Sequence, residues 1–162
     1  MTGIGFLSPA NAAAGVTVIS PLRHAIADGV VDLSYLGKLE LRGAVADIRV
    51  DPGEDLLRLS PRRALLVTEG SVAAATERLG GPDLRAYDMT AALAALEIEG
   101  EDVMRRLTEL DLTSLPTAGA IARGTRAVIE RRDGERFRIF VAQELGHYVV
   151  EVVLDTLRGL GR

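Results

Sequence analysis

The chain has 162 residues, 48% of them hydrophobic, 26% charged and only 4% aromatic, with a net charge of -4 and no cysteine. That length suits one domain with a substantial core, built mainly from Leu, Val, Ile and Ala because tryptophan is absent. The missing cysteines exclude disulfides, thiol catalysis and cysteine-based metal sites, and positive charges interleaved with acids argue against the concentrated basic face that nucleic acid requires.

Residues 1–29 are rich in Gly, Ala and Ser, with Pro9 and Pro21, and read as an extended arm ordered only where it lies on a surface. No basic stretch opens the chain and Pro9 breaks its apolar run, so a signal peptide is not expected. Apolar runs such as 149–154 are too short to span a bilayer, and cytoplasm is the expected location. Alternation over 38–42 predicts a strand that turns Leu39 and Leu41 to one side and stops at Gly43. Val45, Ile48 and Val50 suggest a further short segment before the turn at Asp51-Pro52-Gly53. Residues 56–59 and 64–67 predict a hairpin bending near Ser60-Pro61. A helix over 71–79 then places Val72, Ala75 and Leu79 on one face and ends at Gly80-Gly81-Pro82.

A strand ending at Gly100 follows, then an amphipathic helix over 101–110 with Val103, Met104, Leu107 and Leu110 on one stripe. Glu101 and Asp102 suit its positive end. Residues 119–124 lead to another strand. The strongest hairpin spans 127–131 and 137–141, with Asp133-Gly134 at its tip. A last helix over about 144–157 stacks Val149, Val152, Val153 and Leu157 towards a core. Hairpins interspersed with helices predict an α+β fold with largely antiparallel sheets and packed helices.

One pattern occurs twice. Val31-Asp32-Leu33-Ser34 runs into the strand that ends at Gly43, and Tyr87-Asp88-Met89-Thr90 runs into the strand that ends at Gly100. The repeat predicts a single domain over 30–162 built from two related halves, about 30–82 and 83–158. Asp32/Ser34 and Asp88/Thr90 could grip a polar ligand, or could tie down turns through side-chain to backbone hydrogen bonds. Their doubling favours the turn, since one active site rarely needs two copies of its grip.

No other constellation carries chemistry. His24 and His147 lack metal-ligand spacing around them, and a packed or surface role is expected for His147. No Gly-x-Ser-x-Gly elbow or phosphate-cradling glycine loop is present. Glu130 and Asp133 alternate with arginines and predict a solvated or partner-facing strand surface with cross-strand charge pairs. Lys38 is the only lysine. The doublets Arg62-Arg63, Arg105-Arg106 and Arg131-Arg132 lie on different elements, each a solvated face or a partner contact. The residues alone assign no catalytic, cofactor-binding or metal-ligating side chain.

Read together, Tyr87-Asp88-Met89-Thr90, Leu96-Glu97-Ile98-Glu99-Gly100, Leu110-Asp111-Leu112, Gly119-Ala120-Ile121-Ala122-Arg123 and Phe137-Arg138-Ile139-Phe140-Val141 resemble the gamma subunit of heterotetrameric sarcosine oxidase. Ser20-Pro21-Leu22, Leu41-Arg42-Gly43, Leu59-Ser60-Pro61 and Leu65-Leu66-Val67 fall in the same order, so the likeness covers roughly 20–157. That family is in turn similar to the folate-binding domain of the glycine-cleavage aminomethyltransferase. Residues 31–38, Val-Asp-Leu-Ser-Tyr-Leu-Gly-Lys, resemble its Asp-x-Ser-His-Met-Gly-Lys signature, with Tyr35 in the histidine's place. Where the aminomethyltransferase carries the acid that contacts folate and the reacting amine, the register places Thr125 and Arg126, and neither can do a carboxylate's work.

The resemblance implies an aminomethyltransferase-like fold and a non-catalytic gamma-type subunit that packs on the large (alpha) subunit of a flavoenzyme. Such an enzyme oxidatively demethylates sarcosine or a related N-methyl amine and passes the one-carbon unit to tetrahydrofolate. FAD, FMN, NAD and tetrahydrofolate are expected on partner subunits, with no cofactor on this chain and no nucleic acid or membrane as partner. The alternative implied by the same likeness is a stand-alone folate-binding protein or aminomethyltransferase-like enzyme.

Overall fold

The computed structural model describes residues 19–161. Among these described residues nine strands form two antiparallel sheets that lie face to face, with helices on both outer sides. The strands are β1 Val30–Asp32, β2 Gly37–Gly43, β3 Glu54–Ser60, β4 Arg63–Thr68, β5 Leu84–Asp88, β6 Leu93–Glu99, β7 Thr117–Ile121, β8 Thr125–Arg131 and β9 Arg136–Ala142. The helices are α1 Val72–Leu79, α2 Glu101–Leu107 and α3 Gly146–Gly159. The five-stranded sheet runs β1-β6-β9-β8-β7 and the four-stranded sheet β3-β4-β2-β5. This is the α+β arrangement expected from the hairpins and helices.

Alternation along the strands sorts their buried apolar side chains into three layers. Leu96, Ile98, Ile129, Phe137, Ile139 and Val141 leave one face of the five-stranded sheet and pack with Val103, Met104, Leu107, Val149, Val150, Val153 and Leu157 of α2 and α3. Leu39, Leu41, Ala64 and Leu66 leave the outer face of the four-stranded sheet to meet Ala75 of α1, with Val72 and Leu79 packed beside it. Between the sheets lie Leu36, Leu57, Leu65, Val67, Ala95, Val128 and Phe140. Strands buried on both faces read as unbroken apolar runs, which is why Ala64-Leu65-Leu66-Val67 lacks alternation.

The halves are interlocked. β1 pairs with β6, Val31 opposite Glu97, while β5 pairs with β2, Tyr87 opposite Glu40. Each half therefore sends its leading strand into the other half's sheet. Of the 1–29 arm, residues 1–18 lie outside the described residues. Residues 21–25 form turns, with Ala25 N donating to Leu22 O at 2.8 Å, and Leu22 enters the helix-side core. Leu22 packs so tightly at the start of α3 that a Cβ on Gly146 would stand 2.6 Å from its Cδ2.

The expected elements shift at their ends for local reasons. The 71–79 helix starts one residue later, with Ser71 as its cap accepting from Ala74 N at 3.2 Å. α2 stops at Leu107, not Leu110, because Thr108 turns extended and its hydroxyl donates to Ala120 O at 2.7 Å on β7, while Ala122 N donates to Leu107 O. A short 3-10 turn, Gln143–Leu145, precedes α3. In α3, Val150 is buried and Val152 only partly so. Residues 45–50 form no strand, though Val45 is buried.

Candidate functional site

The two Asp-x-hydroxyl motifs converge on Lys38. Each motif first closes a turn on itself: Ser34 N donates to Asp32 Oδ1 at 2.8 Å, and Thr90 N donates to Asp88 Oδ1 at 2.8 Å. Each hydroxyl then reaches across to the other half. Ser34 Oγ accepts from Ala95 N at 3.1 Å, and Thr90 Oγ1 accepts from Lys38 N at 3.1 Å. The backbone repeats the exchange, with Leu33 N donating to Ala95 O at 2.9 Å and Met89 N to Lys38 O at 2.8 Å. Ser20 Oγ donates to the remaining oxygen of Asp32, which ties the arm's end to the same cluster.

Lys38 itself is 0% exposed. Its Nζ donates to Ser34 O at 2.8 Å and Leu36 O at 2.7 Å, stapling the turn between β1 and β2. Burial pushes the ammonium down to about 8, against the opposing pull of the Asp32 and Asp88 carboxylates. An amine with so low a pKa is a candidate base, yet this one faces backbone carbonyls rather than a cavity. Tyr35 beside it is 72% exposed. The motifs thus act as turn fasteners, the account favoured by their doubling. Ser34→Ala and Thr90→Val should each cost about 1–2 kcal/mol, since each strands a backbone N–H of the opposite half. Urea unfolding tests this, and a neutral Ser34→Ala would remove the reciprocal role.

A second polar cluster bridges the sheets. Arg138 on β9 is 4% exposed, and its Nε donates to Glu130 on β8 at 2.6 Å. Its Nη2 donates to Asp55 of β3, in the other sheet, at 3.0 Å, and Arg132 meets the same carboxylate at 2.8 Å. Burial raises the Glu130 carboxyl above its ordinary value, although Arg138 and Arg132 oppose this. Glu130, expected on a solvated or partner-facing surface, is instead 9% exposed, because the second sheet of the same chain covers the face on which its alternation places it. The cross-strand pairing with Arg138 is as expected, and Asp133 is exposed at the hairpin tip, paired with Arg136. A cleft of about 250 Å³ opens beside this cluster, lined by Leu36, Asp55, Thr68, Arg132 and Arg138. It is smaller than the ~300–1,000 Å³ typical of small-molecule sites, and both of its arginines are already paired, with Asp55 and Glu130.

The other singled-out residues stay apart. His24 is exposed and accepts from Arg23 Nε at 2.6 Å, and His147 is exposed on the first turn of α3. Among the described residues no group of three His, Cys, Asp or Glu side chains could hold a metal ion. Thr125 opens β8 with its hydroxyl on Ala122 O, and Arg126 is exposed opposite Ala120. Just before them, Ala122 and Arg123 hold positive φ of 42° and 64°, in a turn where Tyr148 Oη donates to Ala122 O at 3.2 Å and Gly124 N to Ile121 O at 3.0 Å. Of the doublets, Arg63 meets Glu40, Arg105 and Arg131 share Glu101, Arg132 meets Asp55, and Arg62 and Arg106 are exposed. No described helix is long and apolar enough to cross a membrane.

This double-sheet arrangement is found in one chain of the heterotetrameric sarcosine oxidase from Corynebacterium sp. U-96 in complex with pyrrole 2-carboxylate. The match has a TM-score of 0.72 at 17% identity and covers 90% of this chain and 97% of that one. The two chains share a fold. The glycine cleavage system aminomethyltransferase T from Bartonella henselae matches with a TM-score of 0.54 at 17% identity, over 83% of this chain but 47% of that protein. The present chain therefore spans about half of the aminomethyltransferase and nearly all of the oxidase chain. No family model and no curated protein matches the sequence.

Proposed function

We propose that the chain is a gamma-type, non-catalytic subunit of a sarcosine-oxidase-like flavoenzyme, one that holds the large subunit in working shape. The mutual coverage of 90% and 97% with the oxidase chain carries this reading, because it matches the whole of a subunit rather than a fragment of an enzyme. The polar groups of the repeated motifs support it. Ser34 and Thr90 spend their hydroxyls on joining the halves, Lys38 Nζ is spent on the carbonyls of its own turn, and in the register of the resemblance Thr125 and Arg126 stand where the aminomethyltransferase has its folate-contacting acid. In this reading flavins, dinucleotide and tetrahydrofolate sit on partner chains, where an N-methyl amine such as sarcosine is oxidised and the one-carbon unit captured.

Co-purification from the native host, with a search for flavin- and dinucleotide-binding companion chains, tests the proposal. A stoichiometric complex that oxidises sarcosine is expected, while the lone chain should carry no flavin and turn over nothing. Micromolar tetrahydrofolate binding by the lone chain, reduced in a folded Asp88→Ala variant, would instead favour a stand-alone folate binder.

A further inference from the structure

Three arginines lie side by side across the four-stranded sheet. Arg42 on β2 is in register with Arg63 on β4 and with Arg85 on β5, so all three point from one face. It is the face whose next rows, Glu40 and Lys38, run under the other sheet, but here the cover has ended: the Arg42 side chain is 62% exposed. Arg62 stands beside the row on the hairpin bend, and the four arginines line one open groove of about 850 Å³ with Pro61, Pro82 and Asp83. Tyr87, 44% exposed, completes the shelf, with the Arg42 guanidinium 5.8 Å from its ring centre.

Like charges directly opposite across strands disfavour the sheet. The corresponding rows of the other half avoid this, with Glu97 opposite Arg138 and Glu99 opposite Arg136. In the arginine row a single carboxylate, Glu40, serves both Arg42 at 2.7 Å and Arg63 at 3.0 Å. Burial would raise the Glu40 carboxyl, but hydrogen bonds from these two arginines hold it below its ordinary range. Glu40 is thus already committed. Among the described residues Arg62 and Arg85 have no acidic partner, so four arginines face two carboxylates, Glu40 and Asp83.

We propose that this shelf is a docking face for an acidic segment of a partner subunit; the proposal rests on the subunit reading given above. Strands lie ~4.8 Å apart, so the row spans about 10 Å, a reach suited to carboxylates spaced along an extended segment rather than to one small anion. Guanidinium groups bind carboxylates in two-pronged pairs, and exposed Arg and Tyr together are the residues that anchor protein interfaces. β5 is the edge strand of its sheet, so a partner reaches the shelf from the side without displacing any element.

The test compares the wild-type chain with Arg62→Glu/Arg85→Glu, each co-purified with the companion subunits at low and high salt. The double variant should match or exceed the thermal midpoint of the wild type when alone, since it relieves like-charge crowding, yet bind the companions about tenfold more weakly. High salt should weaken the wild-type complex and leave the variant's little changed. Equal affinity of variant and wild type would overturn the docking face while leaving the subunit reading intact. Failure of the wild type to form any complex would remove both. Tripolyphosphate binding to the lone wild type with no effect of the variant on assembly would assign the shelf to a small polyanion instead. Self-association of the wild type lost in the variant would assign it to a second copy.

Discussion

Lys38→Met is expected to lower stability by about 2–4 kcal/mol, a fall of roughly 6–12 °C in Tm for a chain of this size. Two effects compete at this side chain. Removing the ammonium relieves a desolvation cost, the same cost that brings its pKa down from the ordinary 10.5 to about 8. Against this, the variant strands Ser34 O and Leu36 O in a buried turn and leaves Asp32 and Asp88 without their shared cation. Stranded buried acceptors cost about 1–3 kcal/mol each, so the second effect wins. The pH dependence has a defined sign. The folded pKa lies below the unfolded one, so between about 8 and 10.5 the unfolded chain binds more protons and wild-type stability rises with pH. Lys38→Met should lack this rise. Parallel urea titrations of the two proteins across that window would expose the difference, and identical slopes would refute the buried-ammonium account.

Arg138→Leu should be more damaging at neutral pH, at about 3–5 kcal/mol, because it leaves Glu130 between the sheets with only the more distant Arg132 at 3.9 Å and breaks a tie to Asp55 on the opposite sheet. Glu130 sits above the ordinary carboxylate value of 4.5 because burial outweighs its arginine partners. A carboxyl raised in the folded state favours folding fully below its unfolded pKa, and that contribution fades as pH rises through the folded value. Without Arg138 the folded value climbs further. The variant's deficit should therefore be smallest in acid and widen towards neutrality. A deficit constant from about pH 4 to 8 would mean that Glu130 is not the stranded charge.

Much of the architecture was legible in the chain because local rules govern it. Asp133-Gly134 between two apolar runs could only be a hairpin tip, and the apolar stripes of the helices point to the cores they enter. The three short edge strands, β1, β5 and β7, were not resolved as strands. Each is only 3 or 5 residues long and owes its form to a distant partner rather than to its own alternation. The same non-locality hid Lys38 and Glu130. Polar residues at alternate positions read as a solvent face, whereas here the second sheet covers that face. A signal did exist: Ala64-Leu65-Leu66-Val67 is apolar on both sides, and Lys38 lies opposite Val67. A strand that needs two covered faces implies that its neighbour's polar side is covered as well. The arginine row stayed invisible for a further reason. Arg42, Arg63 and Arg85 become neighbours only once the register of three strands is fixed.

The crossed placement of β1 and β5 bears on how this chain survives damage and how it assembles. A proteolytic nick at Gly80-Gly81 would leave each fragment gripping a strand borrowed from the other, so the cleaved pieces should stay clasped rather than drift apart. Conversely, a ribosome that has released only the first fragment has made a sheet still missing its edge. Closure must wait for contacts such as Val30 with Ile98, and such distant pairings are slow to form.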